Sequence, residues 1–249
     1  ATAPTLLIGS AISSAAFPRL NARLSAGRPD LFRRDFLKVL RALIWVSAPV
    51  VVISYFARGY LARLIYTNGN LKIANIFGFL CLAIFFRIIY TFISRWFYSQ
   101  KDTRTPLFVS LFAISLNVFL AYTLAKPSAY GVEGLALAQS VVAVVEVAIL
   151  SLVMVIRDPK LITRDFWSGL WRIISATGFS VVACFIMISL YPLTLGDRGV
   201  LTLGSKLLII AGVTFSVHII ASWMFGLDEV KPVIRNIKKI ILKPVKIQI

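Results

Sequence analysis

Two ionisable side chains lie inside long apolar runs of this sequence and could bind a charged ligand. Glu146 lies in the segment Val-Val-Ala-Val-Val-Glu-Val-Ala-Ile-Leu, and Arg87 lies in Ala-Ile-Phe-Phe-Arg-Ile-Ile-Tyr. A carboxylate at the centre of a membrane-spanning helix must be protonated, paired with a cation or in a wet cavity. Arg87 either extends toward a membrane surface or binds an anionic substrate, because a guanidinium group binds phosphate well. Both residues are therefore candidates for a substrate or ion pathway.

Few other residues in the apolar runs have types that could do chemistry. Asn117 is a third candidate for the pathway, although amides such as Asn117 and Gln139 more often form hydrogen bonds between helices. The single histidine, His218, is expected to be neutral and packed, with a proton relay as the alternative. Cys81 and Cys184 are expected to be small packed residues rather than a disulfide or metal pair.

No motif for catalysis or metal binding is present in the sequence. It contains no Gly-rich phosphate loop, no nucleophile elbow and no cluster of His and carboxylate residues at metal-ligand spacing. We therefore expect no catalytic residue, no metal site and no cofactor.

A polar break with a distinctive pattern separates two of the apolar runs. It comprises residues 96–106, Trp-Phe-Tyr-Ser-Gln-Lys-Asp-Thr-Arg-Thr-Pro, and is called the hinge loop below. Pro106 suits the first turn of the helix that follows, where its missing N–H costs nothing. Thr103 or Thr105 is expected to cap that helix, and Asp102 favours its positive end. The alternative interpretation is an ordinary cytoplasmic loop.

The elements that must position these residues are membrane-spanning helices. Hydrophobic residues make up 59% of the 249 residues, and the mean hydropathy is +0.86. A soluble domain has about 45–50% apolar residues, and runs near 20 residues match the thickness of a bilayer core. We therefore predict an all-α polytopic transmembrane bundle in residues 1–226, followed by a basic tail in 227–249. The predicted segments are a partial or re-entrant helix at about 4–17 and six spans at about 37–57, 73–94, 107–125, 135–156, 170–193 and 207–226.

The positive charges are concentrated in alternate connections between the spans. A net charge of +17 would suggest nucleic acid in a soluble protein, but topology and anionic lipid explain it better here. Segments 19–41, 95–104, 157–172 and 231–246 hold 20 of the 27 Lys and Arg residues. The positive-inside rule places these segments, and hence the tail, in the cytoplasm against anionic lipid. The amphipathic residues 58–72, with an Asn-Gly turn signal, are expected to lie in the membrane interface.

Three segments carry specific patterns of residues in a consistent order. Residues 4–20 match P-x-G-x-x-x-x-A-I-x-x-x-x-x-P-x-L in part, residues 97–106 match F-Y-A-x-x-D-T-x-T-P closely, and residues 131–138 match G-x-x-G-L-A-L-A. These patterns resemble the MurJ/MviN lipid II flippases of the wider polysaccharide-exporter superfamily. The resemblance covers residues 4 to about 156.

The resemblance implies the C-terminal half of a fourteen-helix flippase, with an N-terminal lobe of the same protein upstream. The implied activity moves undecaprenyl-diphosphate-linked peptidoglycan precursor across the bacterial cytoplasmic membrane by alternating access, driven by the membrane potential or Na⁺. The family's cavity arginines lie mainly in the N-terminal lobe. Glu146 stands where the family pattern leads us to expect a small amide such as Asn, which indicates either altered ion coupling or a divergent member of the family. The family's Na⁺ site draws on helices matching the third and fourth spans, so Asn117 remains a candidate.

Three other functions are compatible with the sequence. The chain could belong to a flippase for another polyprenyl-linked glycan, which substrate competition would distinguish. It could be a non-transporting scaffold for cell-envelope synthesis, if 249 residues were the whole native protein. A membrane glycan ligase, which is an enzyme, would need a large outer loop with catalytic residues, whereas the predicted outer loops are short.

Overall fold

The computed structural model describes residues 11–66, 71–126, 129–194, 196–197 and 199–235, and most of this part is helical. Six of its helices are long and apolar enough to cross a membrane, so the predicted all-α polytopic bundle is confirmed. Residues 4–10, the Asn-Gly turn and residues 236–249 lie outside the described part. The helices are α1 (Ala11–Ser25), α2 (Pro29–Phe56), α3 (Arg58–Ile65), α4 (Leu71–Ser99), α5 (Arg104–Leu124), α6 (Val132–Arg157), α7 (Arg164–Leu190) and α8 (Val200–Met224), followed by a 3-10 turn at Asp228–Val230.

Several helices begin earlier than the apolar runs that predicted them. α2 begins at Pro29 rather than near residue 37, α7 at Arg164 rather than near 170, and α8 at Val200 rather than near 207. Pro29 occupies the first position of α2, and the Thr163 hydroxyl accepts a hydrogen bond from a backbone N–H of α7. The predicted limits follow the long apolar runs alone, whereas α2 and α7 start with charged turns outside these runs, and Gly204, Ser205 and Lys206 interrupt the apolar residues at the start of α8.

The basic segment after Pro18 is largely helical, although the sequence suggested that Pro18 ends the first helix. α1 continues through Pro18 to Ser25. A turn at Gly27 then ends it, with a φ of +66° that glycine adopts without strain. Leu20 is only 3% exposed and belongs to the buried cluster that contains Phe36 and Phe92, called the main core below. Its burial helps to offset the hydrogen bond that the proline removes.

Helix α2 lies at the centre of the packing, between α4 on one side and α7 and α8 on the other. α6 packs against α4, and α5 packs mainly against α6 and also touches α4. Phe36 of α2 and Phe92 of α4 stack in the main core with ring centroids 4.8 Å apart. α5 buries only a narrow face, which includes Val109 and Ala113, so its outer apolar face is left exposed.

Basic helix ends meet at one end of the bundle, called the hinge end because it includes the hinge loop. Arg157 at the end of α6 pairs with Asp102 of the hinge loop. The next residue, Asp158, accepts a hydrogen bond from Nε of Arg33 near the start of α2, with the two atoms 2.6 Å apart. A further ion pair joins α2 to the 3-10 turn after α8. Residues of the basic segments 19–41, 95–104 and 157–172 therefore meet at one end of the bundle.

The start of the predicted tail is packed into the bundle rather than free. Leu227 and Val230 are each 1% exposed. They lie in a core cluster with Trp45 of α2 and Ile173 of α7. The packed part of the chain therefore extends to residue 230, past the predicted boundary at 226.

The opposite end of the bundle is held by polar contacts to the loop after α7. Tyr60 of α3 is 3% exposed and donates to a carbonyl of this loop, and Arg63 Nη1 donates to the Thr194 carbonyl at 2.6 Å. Asp197 accepts hydrogen bonds from Lys206 Nζ at 2.7 Å and from the Thr194 N–H at 2.8 Å. These donors lower the pKa of Asp197 to about 2. One face of α3 thus packs on protein; its place in a membrane interface stays a prediction.

Candidate functional site

Arg87 and Glu146 form an ion pair between α4 and α6, with Arg87 Nη1 3.6 Å from Glu146 Oε2. Ser110 of α5 donates through its hydroxyl to Glu146 Oε1 at 3.3 Å. Tyr90 Oη lies 2.6 Å from Ser110 Oγ, so the tyrosine donates to the serine that faces the carboxylate. These four residues, from three helices, are called the intramembrane cluster below.

The sequence identified the two charges of the cluster but not their pairing or their polar neighbours. Tyr90 lies three residues after Arg87 and so shares its helix face, which is a signal that sequence spacing could have used. Ser110 lies on another helix, and only the packing of α5 against α6 brings it to Glu146. Of the three states that the sequence left open for Glu146, the structure shows pairing with a cation.

The two partners differ strongly in exposure. The Glu146 side chain is 4% exposed, whereas the Arg87 side chain is 45% exposed. The carboxylate is therefore enclosed by protein, and the guanidinium group keeps an open side with N–H donors that have no other partner among the described residues. Such an arrangement leaves Arg87 able to bind an anionic group from its exposed side.

Close helix contacts bring α4, α5 and α6 together around the cluster. Ser140 of α6 donates to the Phe79 carbonyl of α4 at 2.5 Å. Gly134 lies so close to the end of α5 that a Cβ there would be 2.1 Å from the Leu124 carbonyl oxygen. The missing side chain of Gly134 thus allows α6 to begin close against the end of α5, the helix that carries Ser110.

Asn117 does not join the intramembrane cluster. It is half-buried on α5, seven residues beyond Ser110, and Gln139 of α6 is exposed. Within the part of the chain that the structure describes, neither amide side chain has a hydrogen bond, so the expected interhelical bonds are not seen. A role for Asn117 in an ion pathway stays a prediction.

His218 is packed, as the sequence suggested. It is 1% exposed between α2 and α7, with Nδ1 2.9 Å from Ser180 Oγ and Nε2 3.2 Å from the Trp45 carbonyl oxygen. The carbonyl can only accept, so Nε2 carries the proton and Nδ1 accepts from the serine. One neutral tautomer therefore satisfies both contacts, which favours packing over a proton relay.

The N-terminus of α5, which follows the hinge loop, is capped by Asp102 rather than by Thr103 or Thr105. Asp102 Oδ1 accepts from the backbone N–H groups of Arg104 and Thr105, both at 3.0 Å, while Thr103 makes no capping bond. Its Oδ2 accepts from the Thr105 hydroxyl at 2.6 Å and from Arg157. A carboxylate oxygen reaches the free N–H groups of the first turn better than the hydroxyl expected there. These hydrogen bonds hold the pKa of Asp102 well below its usual range.

Much of the predicted hinge loop is helical, because α4 ends at Ser99 and α5 begins at Arg104. Pro106 lies in the first turn of α5, as predicted, and is buried. Lys101 closes the intervening turn with a φ of +61°, a conformation usually taken by glycine. The loop is therefore a tight connection between two spans, fastened to the end of α6 by Arg157.

Metal-binding and thiol chemistry have no site in the described residues. No group of three or more His, Cys, Asp or Glu residues is arranged there to hold a metal ion. Cys81 and Cys184 are both buried and free. Their packing agrees with the prediction that they are small core residues.

The fold and the intramembrane cluster define a multi-pass helical membrane protein that carries an ion pair between its spans. The family model described as "Lipid II flippase MurJ" matches residues 1–227, so the chain belongs to the MurJ family. Flippases are transporters, and the resemblance that the three motifs indicated is confirmed.

Comparison with solved structures gives the same fold. The chain is similar to "Lipid II flippase MurJ, inward closed conformation", with a TM-score of 0.65 and 21% sequence identity. The likeness covers 88% of this chain and 44% of that one, so the chain spans less than half the length of that protein. At this identity the likeness shows the fold alone. A comparison with curated proteins found no match.

Proposed function

We propose that the chain forms one lobe of a flippase that moves undecaprenyl-diphosphate-linked peptidoglycan precursor (lipid II) from the inner to the outer leaflet of the bacterial cytoplasmic membrane. The observation that carries this proposal is the family match along residues 1–227. The lobe works by alternating access, rocking against a second lobe that corresponds to the rest of the solved relative. No covalent step is involved, so the protein acts as a transporter and not as an enzyme.

The intramembrane cluster has the chemistry that such a pathway needs. An undecaprenyl diphosphate carries negative charge through an apolar layer, and Arg87 offers a partly exposed guanidinium group there. When the diphosphate binds Arg87 and draws it away from Glu146, the buried carboxylate of Glu146 loses its counter-charge. It then takes up a proton or a small cation such as Na⁺, which couples transport to an ion gradient or to the membrane potential.

The hinge end faces the cytoplasm in this proposal. Its support is the concentration of Lys and Arg residues in the segments that meet there, because positive loops stay on the cytoplasmic side. The basic tail then lies at the inner surface of the membrane, against anionic lipid.

The test is translocation of labelled lipid II by the full-length native protein in liposomes. We expect substrate to reach the opposite leaflet faster than in empty liposomes, with a rate that depends on an imposed potential or Na⁺ gradient. An intact, folded protein that does not move lipid II would overturn the proposal. Movement of another polyprenyl-linked glycan in competition would redirect it to that substrate.

The same assay tests the cluster. We expect Glu146→Gln to lower the rate at least about tenfold or to abolish its ion dependence, because Arg87 can then no longer exchange between two anions. We expect Arg87→Ala to weaken substrate binding. Ser115→Ala is the matched control, since Ser115 is exposed on α5 and its hydroxyl donates to the Leu111 carbonyl of the same helix. Normal transport by a well-folded Glu146→Gln protein would remove Glu146 from the pathway.

A further inference from the structure

A basic pocket opens at the hinge end, away from the intramembrane cluster. It has a volume of about 570 Å³ and lies between the start of α2, the start of α7 and the turn after α8. Six cationic side chains line it, against three carboxylates. The cations are Arg33, Arg34, Lys38, Arg41, Lys160 and Arg172.

Most of the carboxylates around the pocket are already occupied. Asp30 pairs with Arg33 at 2.9 Å, and Asp228 pairs with Lys231 at 2.5 Å. Of the lining carboxylates, only Asp165 has no ion pair among the described residues.

Several cations of the pocket, by contrast, are left without a close counter-charge. Four of them have no carboxylate oxygen within 4.0 Å in the described part of the chain. These four are Arg34, Lys38, Lys160 and Arg172. A single free carboxylate cannot balance four cations, so the pocket has a net positive charge that an anion would neutralise.

Arg41 is held at the pocket wall by an ion pair and a hydrogen bond. Its side chain is 15% exposed, with Nη2 2.5 Å from Glu229 Oε1 and Nη1 donating to the Asp165 carbonyl at 3.3 Å. Gly169 makes the room, because a Cβ there would lie 2.4 Å from the Arg41 Cζ. The buried Nε of Arg41 has no hydrogen-bond partner in the described residues. An unused buried donor is costly unless a ligand satisfies it.

The first turn of α7 adds to the positive potential. Thr163, Asp165, Phe166 and Ser168 all line the pocket, so the N-terminus of a 27-residue helix borders it. Helix N-termini favour anions through their partial positive charge and free N–H groups. Clustered Lys and Arg side chains beside a helix N-terminus suit a multiply charged phosphate better than a single carboxylate.

From this geometry we infer that the pocket binds a phosphate group, supplied either by a soluble phosphate compound or by a lipid headgroup. Its volume exceeds that of one phosphate and leaves room for the group attached to it. The site goes beyond the proposed transport function, because it shares no residue with the intramembrane cluster and does not require lipid II as its ligand.

The experiment measures binding to the full-length protein in two arms. In the first arm, inorganic pyrophosphate is titrated into protein held in phosphatidylcholine nanodiscs, with calorimetric detection. In the second arm, retained phosphatidylglycerol is counted by native mass spectrometry after reconstitution in mixed lipid. Saturable binding in the first arm assigns a soluble phosphate, and retention in the second arm alone assigns a headgroup.

The variant Lys38→Gln/Arg172→Gln removes two exposed cations from the pocket. We expect at least about tenfold weaker binding in the arm that is positive, because charge-assisted hydrogen bonds are lost. The matched control, Arg19→Gln/Arg104→Gln, removes the same charge from exposed residues outside the pocket and should change binding less than about twofold. An unchanged unfolding temperature shows that both variants are folded; if the pocket variant is not, Arg34→Gln/Lys160→Gln replaces it.

Two results would overturn the inference. Equal weakening by the pocket variant and by the control would mean a general attraction to a basic surface. Binding in neither arm by the folded wild-type protein would mean that the pocket takes no phosphate.

Discussion

Glu146 is a buried carboxylate inside the membrane-spanning helices, and its charge must be compensated by neighbouring groups. It is 4% exposed and depends on Arg87, at 3.6 Å, and on the Ser110 hydroxyl. Arg87 depends less on Glu146, because its 45% exposed side chain can reach other acceptors. Removing one member of a buried pair is costly mainly through the charge that is left behind.

The two single substitutions in this pair should therefore differ in their effect on stability. Arg87→Ala leaves the buried carboxylate without a cation, and we expect a loss of about 2–3 kcal/mol, below the usual cost because the arginine is partly exposed. Glu146→Gln keeps the shape and the bond from Ser110, and we expect a loss of about 1 kcal/mol or less. Reversible unfolding of the detergent-solubilised protein measures both values. A larger loss for Glu146→Gln than for Arg87→Ala would contradict this ranking.

Sequence alone could identify the charged members of the cluster because an ionisable residue in an apolar run is conspicuous. It could not identify Ser110, because hydroxyl residues are common in such runs and the register between α5 and α6 is a property of packing. The prediction of a threonine cap is wrong for a similar reason. Asp102 and the two threonines are all good capping residues, and the backbone turn at Lys101 decides which of them reaches the N–H groups.

At the scale of the helices, the ends determine how the spans are held. Asp102 joins the start of α5 to the end of α6, since it caps α5 and pairs with Arg157 of α6. Gly169 does the same for α2 and α7, because its missing side chain admits Arg41. Both contacts involve charged side chains near the ends of the spans, and a hydropathy pattern does not reveal them.

Asp102 should make the stability depend on pH at the acid end. Its folded-state pKa is depressed below the ordinary 3.8, so its contribution is fully present above that value and is lost as the pH falls through the folded pKa. Asp102→Asn should therefore cost about 1 kcal/mol near neutral pH. The difference from wild type should shrink progressively below about pH 4. Unfolding measured at neutral pH and in steps below pH 4 checks this, and a difference that grows on acidification would contradict it.

Two glycines of α7 provide a matched pair of substitutions. Gly169→Ala should cost about 1–3 kcal/mol, because the new Cβ overlaps the Arg41 guanidinium and must displace it from Glu229. Gly178→Ala, in the same helix, meets nothing within 4 Å and should be neutral or stabilising by up to about 1 kcal/mol. Thermal unfolding of both variants distinguishes a steric effect from helix propensity. Equal shifts in the same direction would remove the role of Gly169.

For the molecule as a whole, the sequence predicted the all-α class and the number of spans because both follow from apolar runs near bilayer length. The sequence left open which helix is central. Contacts of α2 with α4, α7 and α8 depend on side-chain shape, such as the stacked rings of Phe36 and Phe92, and not on hydropathy. The sequence does not reveal that Leu227 and Val230 pack into the bundle, because a short segment with acidic neighbours carries no membrane signal.

Topology is the property of the whole molecule on which the transport proposal depends, and cysteine labelling can test it. Cys81 and Cys184 are buried, so they should not react with a membrane-impermeant maleimide in intact cells. Lys101→Cys reports on the hinge end, and Ala129→Cys reports on the α5–α6 turn at the other end of α5. We expect labelling of Ala129→Cys from outside and of Lys101→Cys only after the inner face is exposed, because the basic segments meet at the hinge end. The reverse pattern would place the basic end outside, and labelling of both from one side would mean that α5 does not cross the membrane.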